Sequence, residues 1–198
     1  MSQGNRTRRR GKELETAILE AAWAELQEGG FPAVTMDRVA KRAGTSKPVL
    51  YRRWTGRVEL LVASAVHQLP KADSVPDTGT LRDDTITLLT LMRQRLLAFG
   101  REPLIAILAE VIDKPGVNEW ALRHIIGHLR SLMSDVVLQR AVERGEVDPE
   151  ILNERLRTLP FDLVRNEFIL TGAVPDEAIE EIVDTVFLTA LAGRALSR

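Results

Sequence analysis

The chain has 198 residues, carries 27 Lys+Arg against 28 Asp+Glu, and contains no cysteine. A disulfide frame and thiolate chemistry are therefore excluded, which fits a reducing cytoplasm. No apolar run reaches the roughly 20 residues a bilayer demands, and no apolar segment follows the first arginines as a secretory signal requires, so a soluble chain with no membrane partner is expected. The near-neutral total hides an asymmetry: residues 1–60 hold 12 Lys+Arg against 7 Asp+Glu, and the remainder 15 against 21. A basic head is drawn to phosphate from a distance, while an acidic body stays off it.

In chain order, the first feature is an arm. Arg6, Arg8, Arg9 and Arg10 lie in a polar segment with Gly4 and Gly11 that has nothing to bury. It is expected to be disordered when free. It serves either as a solubilising tail or as an arm that carries Arg8, Arg9 and Arg10 to the minor groove of DNA. A helix follows from about Lys12 to Glu28, with Leu14, Ala17, Ile18, Ala21, Ala22 and Leu26 in one apolar stripe. Gly29 and Gly30 stop it.

The stretch from Thr35 to Trp54 reads as two short helices around a tight turn. Thr35 suits an N-cap, and Asp37 sits where the helix dipole favours negative charge. Met36, Val39, Ala40 and Ala43 give one apolar face. Gly44 falls where the chain reverses and a positive φ is expected. Thr45 or Ser46 caps the second helix, with Pro48 in its first turn. Val49 and Leu50 seal it, so Thr45, Ser46, Lys47, Tyr51, Arg52 and Arg53 face outward. This is the layout of a helix-turn-helix that places its second helix in the major groove of DNA. Lys47, Tyr51 and Arg52 are expected on the bases or backbone, and Thr35 and Arg57 on phosphates. An ordinary helical hairpin with a solvated basic face is the plainer reading; the arm, the preceding helix and the basic head argue for DNA.

Together with the helix A-I-L-E-A-A-W-A-E-L-Q-E-G-G-F before it and the segment W-T-G-R-V-E-L-L after it, this hairpin resembles the tetracycline-repressor (TetR) family of bacterial regulators over residues 12–65. Ala21-Ala22, Gly30-Phe31, Thr35, Val39-Ala40, Ala43-Gly44, Ser46, Leu50-Tyr51 and Glu59-Leu60-Leu61 fall in register. Trp54 stands where Phe is usual, and Gly56-Arg57 where a lysine pair or Asn-Lys is commoner. The resemblance implies a one-component regulator that binds a palindromic operator as a homodimer and leaves it when a small effector enters the body. It places the DNA-binding domain at residues 1–57 and the effector-binding and dimerisation domain at 58–198, with 58–69 as the connecting helix.

The body reads as helical throughout, so the class is all-α. Pro70 to Gly79 is a loop. Thr80 caps a helix from Leu81 to Phe99, Glu102 to Lys114 is the next, and Asn118 caps a long one to Arg144. Asp148-Pro149 opens a helix that runs to Thr171, kinked or broken near Pro160. Pro175-Asp176 opens the last, to about Leu196. Phe161, Val164 and Phe168 on one of these two helices and Ile179, Val183, Val186 and Leu191 on the other form apolar faces. Such faces either close the monomer core or, as the resemblance favours, pair across a dimer seam.

Only the histidines invite catalysis. His124 and His128 stand four apart, a spacing that can put both on one metal ion, with Glu110 or Asp135 as a possible third ligand. No H-E-x-x-H, phosphate loop or nucleophile elbow accompanies them. A helical metal-dependent enzyme and an effector-free architectural DNA-binding protein are therefore the alternatives to a regulator that is not an enzyme and needs no cofactor. Helices between Leu81 and Arg144 could pack solid or leave a pocket lined by Met92, Phe99, Val111, Trp120, His124 and His128. The mostly apolar lining suggests a hydrophobic or amphipathic effector.

Overall fold

The computed structural model describes the backbone of residues 3–113 and 115–196 and the side chains of residues 11–109 and 123–194. Every regular element among the described residues is helical. The chain divides into two compact units, Met1–Gln68 with Glu102–Ala121, and Leu69–Arg101 with Leu122–Arg198.

In the first unit, α1 (Gln3–Ala33) packs on α2 (Met36–Arg42) and α4 (Arg57–Gln68), and α2 on α3 (Lys47–Tyr51). Ile18, Ala22, Leu26, Val34, Val39, Leu50, Trp54 and Leu61 fill the space between them. Burying each larger aliphatic side chain is worth about 1.5–3 kcal/mol. Ser64 is fully buried and donates its hydroxyl to the Leu19 carbonyl at 2.8 Å, which fixes α4 against α1. The helical path breaks at Gly30, where φ is 68°; this left-handed conformation suits glycine and would strain any side chain. The expected arm differs from the structure in one respect. Its backbone is helical from Gln3 and continuous with α1. Extending a helix already anchored in a core adds one hydrogen bond per residue fixed, and arginine is a good helix former. The side chains of Arg6, Arg8, Arg9 and Arg10 lie outside the described residues. The first unit also takes in α6 (Arg101–Asp113) from Glu102 onward.

In the second unit, α5 (Leu81–Phe99) packs on α9 (Glu154–Thr171) and on α10 (Asp176–Glu181). From Leu122 onward this unit takes in α7 (Pro115–Ser131), which runs through a π-helical segment, Leu132–Leu138, into α8 (Gln139–Glu143). A second π-helical segment, Ile182–Phe187, joins α10 to α11 (Leu188–Leu196). Leu88, Leu89, Met133, Leu138, Phe168, Ile179 and Phe187 are the largest fully buried side chains of this unit.

Two helix starts differ from the sequence reading. α7 begins at Pro115 rather than Asn118, with proline at the first helical position, where its missing N–H is harmless. Asp148 caps only a short 3-10 turn, Pro149–Ile151, and Asn153 caps α9 by accepting the Leu156 N–H at 2.9 Å. α9 then continues through Pro160 without a break.

The start of α5 is held by a charge network. Thr80 Oγ1 caps it by accepting the Asp83 N–H at 3.1 Å. The fully buried Asp84 accepts from the Thr78 N–H and hydroxyl, both at 2.7 Å, and from Arg144 at 3.0 Å. Arg144 also binds Asp77 and Glu146, and Glu146 accepts the Leu81 N–H at 2.7 Å. Burial alone would raise the Asp84 carboxyl; the Thr78 bonds and the Arg144 guanidinium outweigh it and hold the group below the ordinary aspartate value.

Candidate nucleic-acid interface

The hairpin is built by its caps. Thr35 Oγ1 accepts the Arg38 N–H at 3.2 Å and starts α2. Gly44 has φ 65° and turns the chain, with the Thr45 N–H closing on the Ala40 carbonyl at 2.9 Å. Ser46 occupies the N-cap of α3 without a side-chain bond, and Pro48 sits in the first turn. Leu50 is fully buried, so the opposite side of α3 must face water. Ser46, Lys47, Pro48, Tyr51, Arg52 and Arg53 are exposed, while Thr45 is half-buried. Tyr51 is 52% exposed, a large aromatic ring left outside the core.

The cations around this face are not equivalent. Lys47 pairs with Asp37 at 2.5 Å, and that bond pushes its ammonium above the ordinary lysine range. Arg53 turns back onto α1, where it binds Glu15 at 2.6 Å and the Gly11 carbonyl at 3.3 Å. It is exposed, as the sequence reading expects, and it also braces the segment after α3 to α1. The Arg57 guanidinium lies 4.3 Å from the Phe31 ring centre, a cation–π contact that fixes the entry to α4. Glu59 accepts the Thr55 N–H at 2.7 Å and caps the same helix. Thr35 is exposed at the head of α2.

Sequence reasoning missed the brace behind the hairpin. Glu25 is 4% exposed and accepts from Arg38 at 2.6 Å and from Arg42 at 2.7 Å. Arg42 also grips the exposed Glu28, and that hydrogen bond holds the Glu28 carboxyl low. A signal was present: Glu25 lies on the buried stripe of α1, four residues after Ala21, and a carboxylate there requires a cationic partner.

Two family models match this chain: one for bacterial regulatory proteins of the tetR family over residues 18–64, and one for the tetracyclin repressor-like C-terminal domain over residues 75–186. An uncharacterised HTH-type transcriptional regulator of Mycobacterium tuberculosis is 31% identical over 182 residues, covering 89% of this chain and 87% of the relative. The DNA-binding transcriptional repressor TetR of Mycobacteroides abscessus is 29% identical over 183 residues, covering 92% and 96%. The crystal structure of the TetR family transcription regulator SCO0332 superposes with a TM-score of 0.73 at 23% identity, covering 88% of this chain and 97% of that one. The chain belongs to the TetR family. It is an all-α, DNA-binding transcriptional regulator with a helix-turn-helix.

Outside the hairpin, the structure of this TetR-family protein places the remaining described candidates one by one. Met92 and Phe99 are buried in the core of the second unit. His124 is exposed, and His128 is half-buried with Nε2 3.0 Å from the Pro70 carbonyl. The side chains of Glu110, Val111 and Trp120 lie outside the described residues. Among the described residues, no group of three or more His, Cys, Asp or Glu is arranged to hold a metal ion, and Asp135 takes the Ser131 hydroxyl at 2.5 Å. No helix among the described residues is long and apolar enough to cross a membrane.

Phe161, Val164, Phe168, Ile179, Val183 and Leu191 are buried within the single chain, and of the expected set only Val186, at 38%, is exposed. They lie in the core of the second unit, where α9 and the final helical run pack on α5 and on each other. The opposite face of α9 carries Leu159 and Leu163, both half-buried, and Leu170, which is 66% exposed.

Proposed function

We propose that this TetR-family regulator is a repressor that binds a palindromic operator as a homodimer and is released by a small effector. The observation that carries the DNA reading is the exposed face of α3, where Lys47, Tyr51 and Arg52 stand clear of a sealed core. Arginine and lysine at such positions read guanine edges or hold phosphates. Two heads supply the contacts that one short helix lacks, with half-sites about 34–36 Å apart or a multiple of that. For the dimer, the outer face of α9 and Val186 offer apolar surface that the protomer leaves uncovered. Leu159, Leu163, Leu170 and Val186 are the seam positions that burial supports. A hydrophobic or amphipathic effector agrees with the apolar residues of α6, where Ile105 is 43% exposed and Leu108 half-buried. The solved structure of the flavonoid-responsive regulator FrrA, 22% identical with a TM-score of 0.51, has the same fold.

The test is selection of bound sequences from random DNA with purified protein. A two-fold symmetric motif is expected, and its recovery should fail with Arg52→Ala. Enrichment of a single asymmetric half-site, or none, would overturn the dimeric operator reading. Sedimentation at micromolar concentration checks the dimer separately: a single species near 22 kDa would exclude it.

A further inference from the structure

Within the second unit, the end of α7, the π-helical segment Leu132–Leu138 and the first turn of α9 border an open groove-like cavity of about 360 Å³. That volume lies within the range of small-molecule sites. Arg130, Ser131, Ser134, Asp135, Glu154 and Arg157 line it. Gly127 forms part of the wall, and apart from its chain neighbours and the helix's own nearby backbone no atom lies within 4 Å of the place a Cβ would take there. None of these residues belongs to the hairpin.

Most of the polar groups are already engaged. Arg130 binds Glu154 at 2.7 Å, and the Ser131 hydroxyl donates to Asp135 at 2.5 Å. Two are not. The Ser134 hydroxyl is buried without a hydrogen-bond partner. The half-buried Arg157 guanidinium has no ion pair among the described residues. A helical serine normally returns its hydroxyl to the carbonyl one turn back. Ser134 does not, and it sits in a π-helical turn, a distortion that gathers at functional sites.

The unengaged groups define the ligand. A guanidinium presents a planar fork that matches a carboxylate. A hydroxyl both donates and accepts, so Ser134 suits a ligand hydroxyl or ammonium group, with Asp135 beside it as a further acceptor. Asp135 and Glu154 on the wall oppose a dianion such as a phosphate monoester. We propose that this cavity binds a small polar monocarboxylate, its carboxylate on Arg157 and a hydrogen-bond donor between Ser134 and Asp135. This reading is independent of operator recognition, because the binding is measured without DNA.

The experiment is calorimetric titration of the full-length protein with glycerate and D-gluconate, with sorbitol as the neutral counterpart and inorganic phosphate as the alternative anion. Saturable binding of at least one carboxylate, and of neither control, is expected. Arg157→Gln should weaken it by about tenfold or more. Gly127→Leu should block the cavity while leaving Arg157 in place, and it replaces a glycine inside a helix by a better helix former. Exposed Arg155→Gln should leave binding unchanged. Absence of saturable binding at millimolar concentration, phosphate binding as tightly as the carboxylates, or full binding by Arg157→Gln and Gly127→Leu would each overturn the assignment.

Discussion

The two units use charge in opposite ways. In the first, cations at the hairpin lie at the surface in pairs that water already screens, as between Lys47 and Asp37. Such pairs contribute little to stability and can be exchanged for phosphate contacts at small cost. In the second unit, the carboxylate of Asp84 is fully buried and cannot leave its partners. A charged group is thus available for binding where it is exposed, and structural where it is enclosed. Glu25 marks the border: it lies in the first unit, but it is buried between Arg38 and Arg42 and behaves like the second.

The largest effect should come from Val183→Glu. Val183 is fully buried, so the new carboxylate would have no partner, at a cost of more than about 4 kcal/mol. Circular dichroism should show an unfolded or aggregated chain. Val186→Glu should keep native helicity, because that side chain already meets water; a loss of helicity equal to that of Val183→Glu would contradict the placement of the two faces.

Asp84→Ala should cost about 3 kcal/mol in urea denaturation, at the low end for a broken buried pair because Arg144 retains Asp77 and Glu146. It should also change the acid limb. The folded carboxyl lies below the ordinary aspartate value of about 3.9, so its contribution is fully present above that pH and fades as pH falls through the folded pKa. The variant should therefore lose stability less steeply below about pH 4 than the unmodified protein. Identical acid slopes would mean that Asp84 is not held low.

Glu25→Gln should cost about 1–3 kcal/mol, since the amide keeps the shape but not the charge facing two guanidiniums. Its melting transition should fall while Glu28→Gln, at an exposed site, moves it little. The smallest effect should be that of Lys47→Ala on folding: none in the melt, but a salt slope of operator binding lowered by about one unit if Lys47 holds a phosphate. Unchanged slope and affinity would remove Lys47 from the interface.

The contrast also explains what the sequence disclosed. The hairpin was legible because its determinants are local: Thr35 caps three residues ahead, Gly44 turns the chain, and Leu50 points inward within one short helix. Helix starts were misplaced where two caps compete, as Asp148 and Asn153 do within six residues. The apolar stripes of α9 and of the final helical run were recognised, but an amphipathic pattern does not say whether its partner is the same chain or another. The ion pair of Arg53 was not legible because its partner Glu15 lies 38 residues away, a distance over which spacing carries no information.

The bond from Ser64 to the Leu19 carbonyl has a mechanical consequence. It is enclosed between α4 and α1, with Leu60, Leu61 and Val62 fully buried around it. Sliding or rotating one helix along the other would strand a hydroxyl and a carbonyl away from water and open a packed seam. The two helices therefore act as a single lever. Torque applied to α4 is expected to carry α1 with it instead of being absorbed as slip at the joint.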